Sequence, residues 1–224
     1  MCGRYTITIS LDELMTLYEI GESSVSPMLP RYNIAPTQLV PAIINDGQRN
    51  KLGELRWGLI PSWSKDGKGG FKMINARAET IGEKPAFKSL LSRKRCIIPA
   101  DGFYEWKKSG SDKQPYRIVP RDGGLFSFAG LYDTWVNPDS GDRLSTCTII
   151  TTKPNELMED IHDRMPVILT RDNTDVWLDK GNQDKDLLLS LLRPYEAEKM
   201  RAYKVDKAVG NVRNHSPELI AEAK

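Results

Sequence analysis

Hydrophobic and polar residues alternate over many short stretches of the chain, a pattern typical of β-strands that bury one face. Residues 39–44 and 52–57 flank the turn sequence Asn45-Asp-Gly and predict a β-hairpin. Further strands are predicted at residues 5–9, 95–98, 102–107, 115–119, 125–132, 144–151, 165–169 and 200–205. So many short strands favour a curved or barrel-like sheet.

Five short helices are predicted between the strands. Ser10-Leu-Asp-Glu13 has the spacing of a capping box and starts a helix that ends at about Tyr18. The others are predicted at residues 87–93, 155–162, 172–178 and 184–192. Residues 21–41 are rich in proline, including Pro27, and predict an extended loop, whereas residues 65–70 predict a mobile, basic loop. We therefore expect residues 1–224 to form one α+β domain with a β-barrel-like curved sheet core and flanking helices.

Size and charge limit the possible classes of protein. The chain has 224 residues, of which 39% are hydrophobic and 28% charged, as in ordinary soluble domains. It has no apolar run long enough to cross a bilayer and no signal-peptide pattern at its N-terminus. We therefore expect a cytoplasmic monomer, nucleoid-associated in a bacterium, that is not secreted and has no membrane partner. The net charge of +2 neither demands nor excludes nucleic acid, so any DNA-binding surface must be a local patch.

The three cysteines do not have the spacing of a disulfide framework or of a zinc site. Cys96 and Cys147 lie in apolar runs and are expected to be buried strand residues. The chain also lacks the common glycine-rich nucleotide-binding loops. We expect neither a metal nor a cofactor.

Cys2 is the first candidate for chemistry, because removal of Met1 makes it the N-terminal residue. Its α-amine would then have a pKa of about 7.7–8.0 and its thiol one of about 8.5. Arg4 could supply a cation that favours the ionised thiol. An amine and a thiol on adjacent carbons react with an aldehyde in two steps, first to a Schiff base and then to a five-membered thiazolidine. The alternative is a cysteine that follows the start codon by chance.

Two further residues are candidates for proton transfer. Glu105 stands between Tyr104 and Trp106, so partial desolvation would raise the pKa of its carboxyl group. The alternative is an outward-facing residue paired with a neighbouring lysine. His162 lies in a loop before a predicted strand and could move protons near neutral pH, although a structural hydrogen bond to a carbonyl would also explain it.

A third group of residues is suited to single-stranded DNA. Asn75, Arg77 and Glu79 would point to one face of an extended segment, where they could grip a phosphate and orient a reactive group. A surface ion pair between Arg77 and Glu79 is the alternative. Trp106 and other aromatic residues are interleaved with cations, as in proteins that stack bases and neutralise phosphates, but core packing explains most of them equally well.

Seven blocks of sequence follow one another along the chain. They are Met1-Cys-Gly-Arg-Tyr5, Tyr32-Asn-Ile-Ala-Pro-Thr37, Trp57-Gly-Leu-Ile-Pro-Ser-Trp63, Asn75-Ala-Arg-Ala-Glu79, Arg95-Cys-Ile-Ile-Pro-Ala-Asp-Gly-Phe-Tyr-Glu-Trp106, Phe128-Ala-Gly-Leu-Tyr132 and His162-Asp-Arg-Met-Pro166. In this order they resemble the SOS response-associated peptidase (SRAP) family over residues 2 to about 213.

The resemblance implies a barrel-like α+β domain with a basic groove for single-stranded DNA. It implies covalent trapping of abasic sites through the N-terminal cysteine, which protects the site during the DNA damage response, with possible lyase and autocatalytic peptidase activity. The family's catalytic residues fall on Cys2, Asn75, Glu105 and His162. Its phosphate-binding arginines fall on Arg4, Arg77 and Arg164, and with them we expect Trp106 to contact DNA.

Three rival functions remain open at the level of the sequence. An N-terminal-nucleophile hydrolase, such as a class II glutamine amidotransferase, also begins Met-Cys-Gly, but this chain has no early histidine. A cysteine peptidase could use Cys2 with Glu105 and His162. A non-covalent DNA-binding module would make Cys2 incidental.

Overall fold

The fold combines a small closed β-barrel with a second sheet. It is given by a computed structural model that describes residues 2–25, 28–67 and 69–223. Strands β1 to β7 are Tyr5–Ile7, Glu22–Ser23, Arg31–Ile34, Leu39–Asn45, Asn50–Trp57, Asn75–Arg77 and Arg95–Ala100. Strands β8 to β14 are Gly102–Ser109, Asp112–Pro120, Phe126–Val136, Arg143–Thr152, Met165–Pro166, Ile168–Leu169 and Met200–Lys204. Helices α1 to α5 are Leu11–Leu17, Pro85–Leu91, Glu156–Glu159, Arg171–Leu178 and Lys185–Ser190.

Five strands close into the barrel. Strands β11, β10, β7, β4 and β5 are neighbours in that order, and β5 then pairs in parallel with β11. This last pairing places Arg56 opposite Thr146 and Trp57 opposite Cys147, which closes the ring. Short strands extend it, because β6 and β12 both pair with β11. The predicted barrel-like sheet is therefore confirmed.

The second sheet has the order β14-β9-β8-β1-β3 and packs against the barrel. The Tyr5 ring of β1 lies 5.5 Å from the Trp57 ring and 6.1 Å from the Phe128 ring of the barrel. Phe103 of β8 contacts Phe126 and Phe128 in the same way. The aromatic core thus lies between barrel and sheet, and buried edge-to-face ring pairs stabilise it beyond the area they bury.

Several local predictions are confirmed. The Ser10 and Glu13 capping box starts α1, and the predicted hairpin is β4 and β5, with Asn45 opposite Asn50. Cys96 and Cys147 are buried, free cysteines. None of the helices in the described ranges is long and apolar enough to cross a membrane.

The predicted loop over residues 21–41 is partly wrong, because it contains the short strands β2 and β3. Strand β3 is the edge strand of the second sheet and is bounded by Pro30 and Pro36, and prolines are tolerated at such edges. Pro27 of this loop and Lys68 of the predicted basic loop lie outside the described residues.

Candidate active site

Cys2 directly precedes β1 and is completely buried. Burial raises the pKa of its thiol well above the ordinary value, and the nearby negative charge of Glu105 raises it further. The backbone amide of Arg4 opposes this shift without overcoming it. The Arg4 guanidinium is not among the causes that shift this pKa, so the structure gives no support to activation of the thiol by Arg4, and burial favours the protonated thiol.

The Arg4 guanidinium is bound to other parts of the chain instead. Its Nη1 donates to Asn33 Oδ1 at 2.7 Å and to the carbonyl of Val209 at 2.8 Å, and its Nη2 donates to the carbonyl of Gly210 at 3.1 Å. The guanidinium also lies 5.9 Å from the centre of the half-buried Trp106 ring, within cation–π range. Arg4 thus holds the C-terminal segment and the Trp106 ring beside the site.

Glu105 lies on β8, the neighbour of β1, with only 2% of its surface exposed. Burial raises the pKa of its carboxyl group to about 8, and the charge of Asp163 adds to this shift. The predicted desolvation is confirmed, and the alternative of an outward-facing partner for a lysine is wrong. Near neutral pH this carboxyl group is mostly protonated and can donate a proton.

His162 lies in the loop after α3, and its imidazole reaches Glu105. Its Nε2 is 3.7 Å from Glu105 Oε2. The backbone N–H of Arg164 donates to its Nδ1 at 3.1 Å, and Asp163 Oδ1 lies 2.9 Å from the same nitrogen. Burial lowers the pKa of the imidazole, so little of it is charged at neutral pH.

Asn75 and Arg77 lie on β6, along the edge of barrel strand β11. The Asn75 amide donates to the carbonyl of Ile149 at 3.4 Å, and its Oδ1 is buried with no hydrogen-bond partner among the residues that the structure describes. The Arg77 side chain is exposed. A buried amide oxygen without a donor is costly, so this atom is an acceptor available to a bound group.

Glu79 does not share the face of Asn75 and Arg77, and that prediction is wrong. The chain leaves the extended conformation at Ala78 and forms a 3₁₀ turn over Ala78–Thr80. Glu79 then makes a bidentate ion pair with Arg164, at 2.7 and 2.9 Å, rather than with Arg77. The pKa of Glu79 is lowered by this pairing.

Thr151 is a site residue that sequence reasoning missed. Arg164 Nη2 donates to its carbonyl at 2.7 Å, so the end of β11 orients the guanidinium at the rim of the site. Thr151 is buried near the end of β11, which contains four threonines, so nothing in the sequence marks this one as a site residue. Cys2 precedes β1 and Glu105 lies on the neighbouring strand β8, and His162 reaches Glu105, so the structure brings these three residues together.

An open depression adjoins the imidazole. It has a volume of about 340 Å³ and is lined by Trp106, Lys107, Lys108 and the loop that carries His162. Among the described residues no cluster of three or more His, Cys, Asp or Glu side chains is suited to a metal ion. The arrangement offers a thiol, a neutral carboxylic acid and an imidazole next to a surface that carries one indole ring, two lysines and the carboxylates of Glu159, Asp160 and Asp163.

The chain is similar to known proteins over nearly its whole length. The sequence profile described as SOS response associated peptidase (SRAP) matches residues 1–212. The chain is 56% identical to the Bacillus subtilis protein named abasic site processing protein YoqW, covering 98% of this chain and 99% of that one. It is 33% identical to the Xenopus tropicalis abasic site processing protein HMCES, covering 99% of this chain and 78% of that one. A crystal structure of a Bacteroides thetaiotaomicron protein superposes with a TM-score of 0.91 at 31% identity and covers both chains completely.

Proposed function

This chain belongs to the SOS response associated peptidase family, and on that premise we propose that it processes abasic sites in single-stranded DNA by covalent attachment through Cys2. Met1 is removed first, so that Cys2 presents its amine and thiol together. The observation that carries the proposal is the cluster of Cys2, Glu105 and His162, in which a protonated carboxyl group and an imidazole stand beside the start of the chain. Relatives named as abasic site processing proteins support the choice of substrate.

The first step opens the abasic sugar. The closed deoxyribose ring is unreactive toward amines, whereas its open form carries an aldehyde. His162 in its imidazolium form protonates the ring oxygen and thereby favours opening. Exposed Arg77 binds a flanking phosphate and the Trp106 ring stacks a base, so that the sugar is held near Cys2 and its effective concentration rises.

The second step forms the Schiff base. The neutral amine of Cys2 attacks the aldehyde carbon, and the resulting hydroxyl group leaves as water when Glu105 donates its proton. A carboxyl group with a pKa of about 8 is suited to this donation near neutral pH. Asn75 holds the Cys2 backbone in line, for which its buried Oδ1 is an available acceptor.

The third step closes the thiazolidine. The Cys2 sulfur adds to the imine carbon, and the thiol proton passes to the Glu105 carboxylate left by the previous step. The raised pKa of the buried thiol is consistent with this order, because the thiol stays protonated until the amine has reacted. The closed ring has no imine to promote β-elimination, so the DNA strand remains intact and the abasic site is protected.

Hydrolysis of an amide bond is the second candidate, because the family description names a peptidase. The same side chains would then act on the bond that follows Met1. The raised pKa of the thiol weighs against Cys2 as a general peptidase nucleophile, since the thiolate is the reactive form. We therefore restrict this activity to removal of Met1 from the chain itself.

A denaturing gel tests the proposal. Protein whose mass shows loss of Met1 is mixed with labelled single-stranded DNA that contains one abasic site or none. The wild type should give a heat-stable shifted band only with abasic DNA, and Cys2→Ala should give none. Cys2→Ser should cleave the strand, because its hydroxyl closes the ring less readily and leaves the imine exposed. Absence of a shifted band from protein lacking Met1 would refute crosslinking, and peptide and glutamine hydrolysis would then be tested.

A further inference from the structure

The Nδ1 atom of His162 has two neighbours that it cannot satisfy in one protonation state. The backbone N–H of Arg164 lies 3.1 Å away and needs a lone pair on Nδ1. The carboxylate oxygen Oδ1 of Asp163 lies 2.9 Å away and needs a proton on Nδ1. A neutral imidazole with its proton on Nε2 satisfies the first contact, and a ring with a proton on Nδ1, as in the imidazolium, satisfies the second. The two contacts therefore belong to two states of the same side chain.

We propose that Asp163 is a positioning residue for His162, whose carboxylate accepts the Nδ1 proton of the imidazolium and so makes Nε2 the nitrogen that transfers a proton. Nε2 is the ring nitrogen that faces Glu105, at 3.7 Å from its Oε2. This inference rests on the proposed function, in which His162 protonates the ring oxygen of the abasic sugar. As the Nε2–H bond breaks, the ring oxygen gains that proton and the ring C–O bond opens. The anomeric hydroxyl gives its own proton to water and becomes the aldehyde, while Nδ1–H stays bound to Asp163.

The groups around His162 differ in how they shift the pKa of its imidazole. Burial and Lys108 of β8 both act to lower the pKa of the imidazole. Asp163 acts in the opposite direction, and so does the backbone contact with Arg164. Glu105, on the other side of the ring, is mostly neutral near pH 7 because its own pKa is about 8. Lys107, Glu159 and Asp160 line the same depression as His162, but Asp163 is the carboxylate that contacts Nδ1 and whose charge raises the pKa of the imidazole.

The exposure of the two side chains suits such a role. The His162 side chain is 25% exposed, whereas that of Asp163 is 87% exposed. An exposed carboxylate keeps its hydration and can turn toward Nδ1 when the ring is charged and away when it is neutral. Asp163 therefore supplies a negative charge beside His162 at little desolvation cost, whereas ionisation of the buried Glu105 is costly.

Titration of His162 by NMR tests the inference directly. The chain has only two histidines, so a His215→Gln variant assigns the imidazole signals. Asp163→Asn should lower the pKa of His162 by about 0.5 unit, the size expected for loss of an exposed ion pair. Asp160→Asn is the matched control, since it removes an exposed carboxylate of the same loop whose charge is not among the causes that shift the pKa of His162. An equal shift in both variants, or none in Asp163→Asn, would overturn the proposal.

The pH dependence of crosslinking supplies the functional readout. Above the pKa of His162 the rate follows the imidazolium fraction, so Asp163→Asn should crosslink about threefold more slowly than the wild type. Well below that pKa the two rates should converge, and Asp163→Glu should recover most of the loss. A loss by the same factor at every pH would indicate a structural role and contradict the inference. If the wild type does not crosslink at all, the proposed function fails, and the NMR titration still decides whether Asp163 and His162 are coupled.

Discussion

Burial of Glu105 links the ionisation of one carboxyl group to the stability of the whole fold. Its pKa is about 8 in the folded protein, against an ordinary value of 4.5 in the unfolded chain. Between these two values the unfolded chain loses the proton and the folded protein keeps it. The free energy of unfolding therefore falls as pH rises through this window, by at most about 1.4 kcal/mol per pH unit.

Glu105→Gln should remove this pH dependence. We expect the variant to gain stability over the wild type as pH rises from about 5 to 8, on the order of a few kcal/mol, because the amide has no proton to lose. Urea unfolding at several pH values measures the difference. The two stabilities should converge near pH 4 and diverge above it, and parallel curves would show that the Glu105 pKa is not raised. Crosslinking by the variant should be slower, because the amide cannot donate a proton.

Single residues with distinctive chemistry could be predicted from the sequence, and their partners could not. The desolvation of Glu105 followed from its two aromatic neighbours. The prediction that Glu79 shares a face with Asn75 and Arg77 is wrong, because nothing in the sequence of this segment reveals that the strand ends at Arg77. The contact of Asp163 with His162 depends on the loop conformation, which residue types alone do not determine.

Arg95 joins one strand to two helical regions. It lies on β7, is 6% exposed, and its guanidinium donates to four backbone carbonyls. Leu91 is the last residue of α2, and Trp177 lies in the last turn of α4. Asp179 and Asn182 follow α4. The C-terminal carbonyls of a helix lack partners within the helix, and this side chain supplies donors for them.

Arg95→Leu should destabilise the protein by about 3–5 kcal/mol, because it leaves several buried carbonyls without donors. The midpoint of urea unfolding measures the loss. Arg93→Leu is the matched control, since Arg93 is exposed two residues earlier, and we expect a change within about 0.5 kcal/mol. Equal effects from the two variants would contradict the anchoring role of Arg95.

Elements with a local signal were predicted well. The capping box of Ser10 and the turn after Asn45 marked α1 and the hairpin, because both signals lie within a few residues. Strand β3 was missed, because the prolines around it favour loops and only its pairing with β1 makes it a strand. Its pairing partner lies more than twenty residues away, beyond the reach of any local pattern.

At the scale of the whole molecule, the site requires both sheets. Cys2 and Glu105 belong to the second sheet, through β1 and β8, whereas Asn75 and Arg164 are held by barrel strand β11. The barrel-like class followed from the number of short strands. The closure of the barrel by the parallel pairing of Trp57 with Cys147 could not be predicted, because these residues are ninety positions apart in the sequence. The aromatic core between the sheets sets the position of one half of the site relative to the other.

In our proposal the Cys2 thiol ends in a thiazolidine with the abasic sugar, and alkylation distinguishes this product from a Schiff base. The crosslinked protein is denatured, treated with iodoacetamide, digested and analysed by mass spectrometry. A Schiff base and a thiazolidine have the same mass, but only the Schiff base leaves the Cys2 thiol free to react. Cys96 and Cys147 are internal controls, because denaturation exposes both buried thiols.

We predict that Cys96 and Cys147 are alkylated and that Cys2 carries the sugar on an unreactive sulfur, in a peptide that lacks Met1. Alkylation of all three cysteines in a protein that still carries DNA, or attachment of the DNA at another residue, would contradict the thiazolidine.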